Sequence, residues 1–372
     1  MANKLQIRIP EWASIEDVAK WDCQFGDEIE FKIKRESGFK LLATGSAISA
    51  IRRIRSKASN VAIHCEFSFP TTKVHAQTMQ AWAGFFLSLG GVALLQAANR
   101  VVDAAGTDFS ATAFDAMWRE ILLKSGGIIG DGKSQSLISR EFDSPIPEAV
   151  RSSEANRLPS RREFEFVLGH LGRGLGAGKN FFGSLTEAAI SSFLFEAFRN
   201  SIEHAIPSSE GIWGITIEKV IFQNADEISR RSQIPDFAKP FVERHFTKRR
   251  PLWICVTVAD FGIGIQNTLP PQPDESEWPR LIRAFERGAS RKPRSGSPNR
   301  GQGLPNILDA AARLGACIFV NSAGLAALNE VANPQSAWSQ VAIPAGLQGT
   351  SISVFWPVSN ESPDQELLKL EL

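Results

Sequence analysis

Glu196, Asn200 and His204 stand at four-residue intervals in FLFEAFRNSIEHA; VTVADFGIGI begins at Val256, and RGQGLPNI follows from Arg300. Residues four apart on a helix share one side. An acid and an amide one turn apart can share a magnesium-bound triphosphate. Asp260-Phe261-Gly262-Ile263-Gly264 closes an apolar stretch. A carboxylate there can accept from the exocyclic amine of adenine, and the glycines let a base lie against bare backbone. Gly301-Gln302-Gly303-Leu304 opens a helix whose free N–H groups and positive dipole end suit phosphate, with Lys292, Arg294 and Arg300 adding charge from the preceding loop. Each segment alone has a plainer reading: a solvated helix face, a strand running into a turn, a flexible loop capped by glycine. It is their occurrence together, in this order, that points to a nucleotide.

These residues need elements to hold them. At 100° per residue, Leu194, Phe198, Ile202 and Ala205 fall on one side of the helix, with Glu196, Asn200, Glu203 and His204 opposite. Phe193 shares the polar sector, which argues that this side does not simply face water. GIWGITIEKVIF, PLWICVTVADF, CIFVNS and TSISVFWP are strand candidates rich in β-branched and aromatic residues. REFEFVLGHLGRGL reads as a helix that breaks at GLGAGK. Ahead of these, LQIRIP, EIEFKIKR and VAIHCEFSF alternate as half-buried strands do, and SAISAIRRIRSK is a helix with a basic outer face.

Four units follow: a small α/β interaction domain over 1–130, a polar linker with two prolines over 131–164, a chemistry-bearing α/β domain over 165–358, and a polar tail over 359–372. The net charge of +1 gives no global reason to expect nucleic acid or an anionic membrane as partner. MANKLQIRIPEW has no apolar secretory core, so no signal peptide is expected. The charge-free run from His75 to Asn99 approaches a bilayer span in length, but polar residues interrupt it. Gly90-Gly91 reads as a break between a helix and a short buried strand, so a buried element is expected. The four cysteines are far apart without metal spacing, and read as buried thiols of a cytoplasmic protein. With no tyrosine in the chain, tyrosine chemistry is excluded. GLGAGKN fails as a kinase phosphate loop, because Arg173 occupies the first glycine position and Asn180 replaces Ser or Thr.

Taken together, EAFRNSIEHA, DFGIG and RGQGL resemble the boxes of the Bergerat-fold ATPases, the group of gyrase, the large heat-shock chaperone, histidine kinases and MutL. The resemblance spans about 165–358 and implies a two-layer α/β sandwich, a mixed sheet with helices on one face. It implies ATP and Mg²⁺ as ligands, with Glu196 as general base and Asn200 as Mg²⁺ ligand. Asp260, Gly262 and Gly264 would lie at adenine, and Gly301, Gly303 and Leu304 at the phosphates. Residues between Gly264 and Gly301 would form an ATP lid, and Thr350 of GTSISVFWP would help bind adenine. His204 would orient the helix or touch phosphate. None of the five histidines is followed by an acid, so phosphorylation on histidine is not expected. Hydrolysis driving a conformational switch is the leading expectation. Serine/threonine kinase activity of the anti-sigma type and a nucleotide-gated binding module stand as alternatives. Residues 1–130 weakly resemble a STAS-type domain, which implies a protein partner or self-association.

Overall fold

A computed structural model describes residues 4–22, 27–34, 36–40, 42–68, 88–108, 128–130, 134–138, 160–175, 183–201, 214–222, 224–230, 234–247, 252–260, 262–289, 302–331, 333, 337–343 and 349–358. Alternation in the first stretch resolves into β1 (Lys4–Ile9), β2 (Glu28–Ile33), β3 (Asn60–Cys65) and β4 (Arg100–Val102), a parallel sheet in the order of the sequence. Ile7, Ile9, Ile29, Phe31, Ile33, Val61, Ile63 and Cys65 point into one core. Between these strands run α1 (Ile15–Asp22), α2 (Thr44–Lys57) and α3 (Leu89–Ala97), with α2 packed between the other two. The packing of α2 against both α1 and α3 sets the three helices side by side as one layer on the sheet.

The stretch LGGVALLQA is helical throughout rather than a break followed by a strand. Ser88 caps α3 by accepting from the Gly91 N–H at 3.0 Å. Gly90 is there for space, since a Cβ would come within 2.4 Å of the Phe39 ring. Among the described residues, no helix is long and apolar enough to cross a membrane.

The second sheet has eight strands: β5 (Ile128–Gly130), β6 (Ser134–Ile138), β7 (Gly214–Ile221), β8 (Leu252–Asp260), β9 (Cys317–Ser322), β10 (Leu325–Glu330), β11 (Ser339–Val341) and β12 (Thr350–Val358), in the order β11-β10-β9-β12-β8-β7-β6-β5. Three expectations need correction. Helices cover both faces of this sheet, not one, because each face carries its own buried apolar cluster. The sheet is antiparallel at every pairing, not mixed, because successive strands join as hairpins or return across the helical layer in alternating direction. And residues 134–138, read as linker, form β6 against β7, while β5 of the expected 1–130 unit extends this same sheet. The tail from residue 359 lies outside the described residues.

β8 and β12 are nearly continuous runs of buried residues because both faces of the sheet are covered. One face carries Ile254, Val256, Val258, Ile318, Val320, Ile352 and Val354 against α4 (Arg161–Gly174), α5 (Gly183–Asn200), α8 (Glu277–Arg283) and α9 (Gly303–Arg313). The other carries Trp253, Cys255, Phe319 and Phe355 against α6 (Ala225–Arg230), α7 (Lys239–His245) and the small domain. Pro357 is tolerated in β12 because β9 stops pairing at Phe355, so no ladder donor is needed beyond it on that edge.

The two sheets meet through α2. Its first turn touches the back of the large sheet, with Asn321 Nδ2 donating to Ser46 Oγ. Gly45 lies so close to β12 that a Cβ would sit 2.1 Å from Ser351 Cβ. The layers are therefore parallel sheet, helices, antiparallel sheet, helices. Cys65, Cys255 and Cys317 are buried free thiols. Desolvation pushes Cys65 up to about 12 and raises Cys255 and Cys317 well above the ordinary thiol value, so they are packed, unreactive groups. Gly45→Val should destabilise the whole chain by about 1–3 kcal/mol, the usual range for overpacking. Chemical denaturation would measure it, and an unchanged midpoint would mean that α2 does not seat on Ser351.

Candidate functional site

Three strands end level at one edge of the large sheet. The register pairs Thr350 with Asp260 on one side and with Ser322 on the other. Strand alternation turns all three side chains toward the helical layer, on the same face as Val258, Ile352 and Val320. They sit beside an open pocket of about 50 Å³, which Asp260 and Thr350 line. Asn200 and Ser201 close it from α5, Gly264, Ile265 and Thr268 from the segment after β8, and Leu304 from α9.

Asp260 is 6% exposed, and its carboxylate is oriented from two sides. Oδ1 accepts the Gly262 N–H at 2.8 Å, and Oδ2 accepts the Ser201 hydroxyl at 2.8 Å. The residue thus caps a turn and lines the pocket at once. Gly264 must be glycine on two grounds: its φ is +92°, and a Cβ would meet Ala323 Cβ at 2.5 Å. The turn it makes lets the Ile265 N–H reach Ser322 Oγ at 2.7 Å. Ser322 in turn donates to Gln266 Oε1 at 2.8 Å and lies 3.5 Å from Thr350 Oγ1.

The segment expected as a lid is partly core. From Ile265 to Ala289 it forms a short 3₁₀ turn (Ile265–Thr268) and α8, and buries Leu269, Leu281, Ala284 and Phe285. Glu275 anchors it. Arg283 donates to both carboxylate oxygens, from Nε at 2.6 Å and Nη2 at 2.7 Å, holding the Glu275 carboxyl down to about 2. The rest of the expected lid, with Lys292, Arg300 and Gly301, lies outside the described residues, as does His204.

Glu196 is 5% exposed although it belongs to the polar stripe of α5; that stripe faces α9, not water. The contact point is Gly303. A Cβ there would lie 3.0 Å from Asn200 Oδ1, 3.1 Å from Asn200 Nδ2 and 3.3 Å from Glu196 Oε2. Asn306, one turn into α9, donates Nδ2 to Glu196 Oε1 at 2.9 Å. The exposed Arg161, at the start of α4, brings Nη2 to 3.8 Å of the same oxygen and lies over the Phe195 ring. Asn200 Nδ2 is buried without a partner among the described residues. An orphaned donor of this kind normally marks a missing acceptor.

Of the expected site residues, Asn200, Asp260, Gly264, Leu304 and Thr350 line one pocket, Glu196 and Gly303 meet Asn200 beside it, and Gly262 is bonded to Asp260. Sequence reasoning missed Ser201, Ser322, Asn306 and Arg161. Ser201 follows Asn200 directly and could have been noticed; Ser322 depends on a strand register that no local pattern reveals. No protein-family model and no curated protein matches this chain. Ser201→Ala removes the hydroxyl donor to a buried carboxylate and should lower unfolding free energy by about 1–3 kcal/mol. Denaturant titration at neutral pH would detect it; equal stability would mean that Ser201 does not hold Asp260.

Proposed function

We propose that the cleft binds ATP with Mg²⁺ and hydrolyses it, as a Bergerat-type ATPase whose nucleotide state alters the contact with the N-terminal domain. The observation that carries this reading is the convergence of Glu196, the unpartnered Asn200 amide and the side-chain-free Gly303 at the N-terminus of α9, one cleft with Asp260 and Thr350. Asp260 would accept from the adenine amine, with Thr350 beside it. The first amides of α9 would take phosphate oxygens, with Leu304 at the pocket wall.

The donor set fits magnesium held mostly by phosphate. Among the described residues no three acidic, histidine or cysteine side chains gather into a metal cage, and Mg²⁺ in nucleotide sites typically takes one or two protein oxygens plus phosphates and waters. Asn200 Oδ1 would be such a ligand, with Glu196 nearby. The ion, when bound, neutralises developing phosphate charge. Glu196 takes a proton from water, and the water oxygen bonds to the terminal phosphorus. The bond to the bridging oxygen breaks, its electron pair leaving with ADP. Burial of Glu196 keeps bulk water from competing with the one that reacts.

The back of the sheet supports the switch. Ser322 and Thr350 face the cleft, while their neighbours Asn321 and Ser351 face Ser46 and Gly45 of α2. A shift of these strand ends on nucleotide binding has the small domain as its direct neighbour.

Glu196→Ala should cut phosphate release roughly 100-fold or more while sparing ATP affinity. Asp260→Asn should weaken ATP binding roughly 10- to 100-fold by calorimetry. No heat on mixing wild-type chain with ATP and Mg²⁺ would sink the reading. Label transfer to a co-purified protein, without free phosphate, would replace hydrolysis by kinase activity. The switch has its own check: ATP should change amide exchange in Thr44–Lys57, and identical exchange with and without ATP would remove it.

A further inference from the structure

We propose that Asn306 is a positioning residue for Glu196, fixing which carboxylate oxygen is free to take the proton from water; this rests on the hydrolytic reading above. Glu196 is nearly enclosed, so its carboxylate orientation is set by neighbouring groups and not by solvent. Its two oxygens are in different circumstances. Oε1 receives the Asn306 amide at 2.9 Å and faces Arg161 at 3.8 Å. Oε2 points to the α9 N-terminus, close to where a Cβ on Gly303 and the Asn200 amide would meet. Only Oε2 therefore looks onto the point where a phosphate-bound water would stand.

Arg161 is the weaker of the two holders. Its side chain is 55% exposed, and the 3.8 Å separation is longer than a hydrogen bond, so solvent screens its pull. Asn306 offers a short neutral hydrogen bond from a rigid base, because it sits on the first turn of α9 between buried Pro305 and Ile307. The Asn306 N–H is itself bonded to Gln302 O at 2.9 Å, so the residue is fixed in the helix that presents Gly303. Base and phosphate-binding amides are thereby tied to one element three residues apart. The spacing is what a general base needs if it is to keep its place when phosphate engages the helix end.

A neutral amide suits this task better than a cation. A buried Lys or Arg at this position would compete with water for the proton-accepting carboxylate. An acid would repel it. Serine is too short to span from α9 to α5 at the same backbone separation.

The test uses the full chain. Asn306→Ala should lower kcat for phosphate release from ATP about tenfold or more while leaving the calorimetric affinity for ATP within about twofold, as loss of a ligand-orienting partner does. Thermal unfolding without nucleotide supplies a readout specific to the pair. Asn306→Asp sets two carboxylates against each other and should lower Tm by about 2 °C or more. In a Glu196→Gln background the same change should cost little, because the new amide can donate to the introduced acid. Equal Tm losses in both backgrounds would overturn the pairing, and unchanged kcat in Asn306→Ala would overturn the positioning role. If wild-type chain binds ATP but releases no phosphate, the hydrolytic reading falls and this role with it. Turnover that survives Asn306→Ala removes this proposal alone.

Discussion

The cross-strand ladder Ser322–Thr350–Asp260 is the constraint from which the site follows. In an antiparallel sheet the side-chain period is two, so a one-residue slip would turn every group in a strand to the opposite face. Here both faces are buried, which makes slippage doubly unfavourable: it would drive Trp253 and Phe355 into the helical layer and Ile254 and Val354 into the small domain. Core packing thus enforces the register, and the register delivers three polar groups level with one another at the sheet edge. The energy that fixes the site is spread over the aliphatic and aromatic core beneath it.

A second constraint closes the cleft from above. The N-terminus of α9 comes against α5 at Gly303 with no side chain between them, so Glu196 and Asn200 lie within about one van der Waals contact of helix backbone. Any larger residue there would fill the space where the amide, the carboxylate and the free N–H groups converge. Glycine at this place avoids a tight approach, since a Cβ would press on the Asn200 and Glu196 side chains at 3.0–3.3 Å. At Gly264 both close approach and a left-handed backbone demand it.

Much of this was readable from residue order. The helices carrying Glu196 and Gly303 and the strands ending at Asp260 and Ser322, or beginning at Thr350, follow from apolar periodicity and glycine punctuation. Less accessible were features set by tertiary pairing. The antiparallel direction of the sheet depends on how segments return across the helical layer. The recruitment of Ser134–Ile138 into it depends on an edge that β7 offers, since SQSLI is too short and polar to declare itself. LGGVALLQA illustrates the opposite failure: two glycines suggested a break, but a serine cap and the bulk of Phe39 make glycine compatible with a helix start. Hydrogen bonds between distant residues, such as Asn306 to Glu196, have no local signature at all.

The back of the large sheet is chemically divided, and the division bears on how a signal could cross it. Under α7 and the turn before it lie rings: Phe241 packs edge-on against Trp253, and Phe237 stacks on Phe319. Toward the first turn of α2 the sheet offers small and polar groups instead, with Thr257 bonded to Ser353, Asn321 to Ser46, and Ser351 beneath Gly45. Exposing one buried ring costs about 1.5–3 kcal/mol, so opening the aromatic half would take several times that. Coupling free energies between ligand sites are typically about 1–3 kcal/mol, enough to exchange one or two hydrogen bonds worth about 0.5–1.5 kcal/mol each. A coupling energy on that scale is enough to re-register α2 over its polar footing but not to lift the aromatic half. Any conformational output through this face is therefore a small slide of α2 beside Asn321 and Ser351, with the two sheets remaining joined.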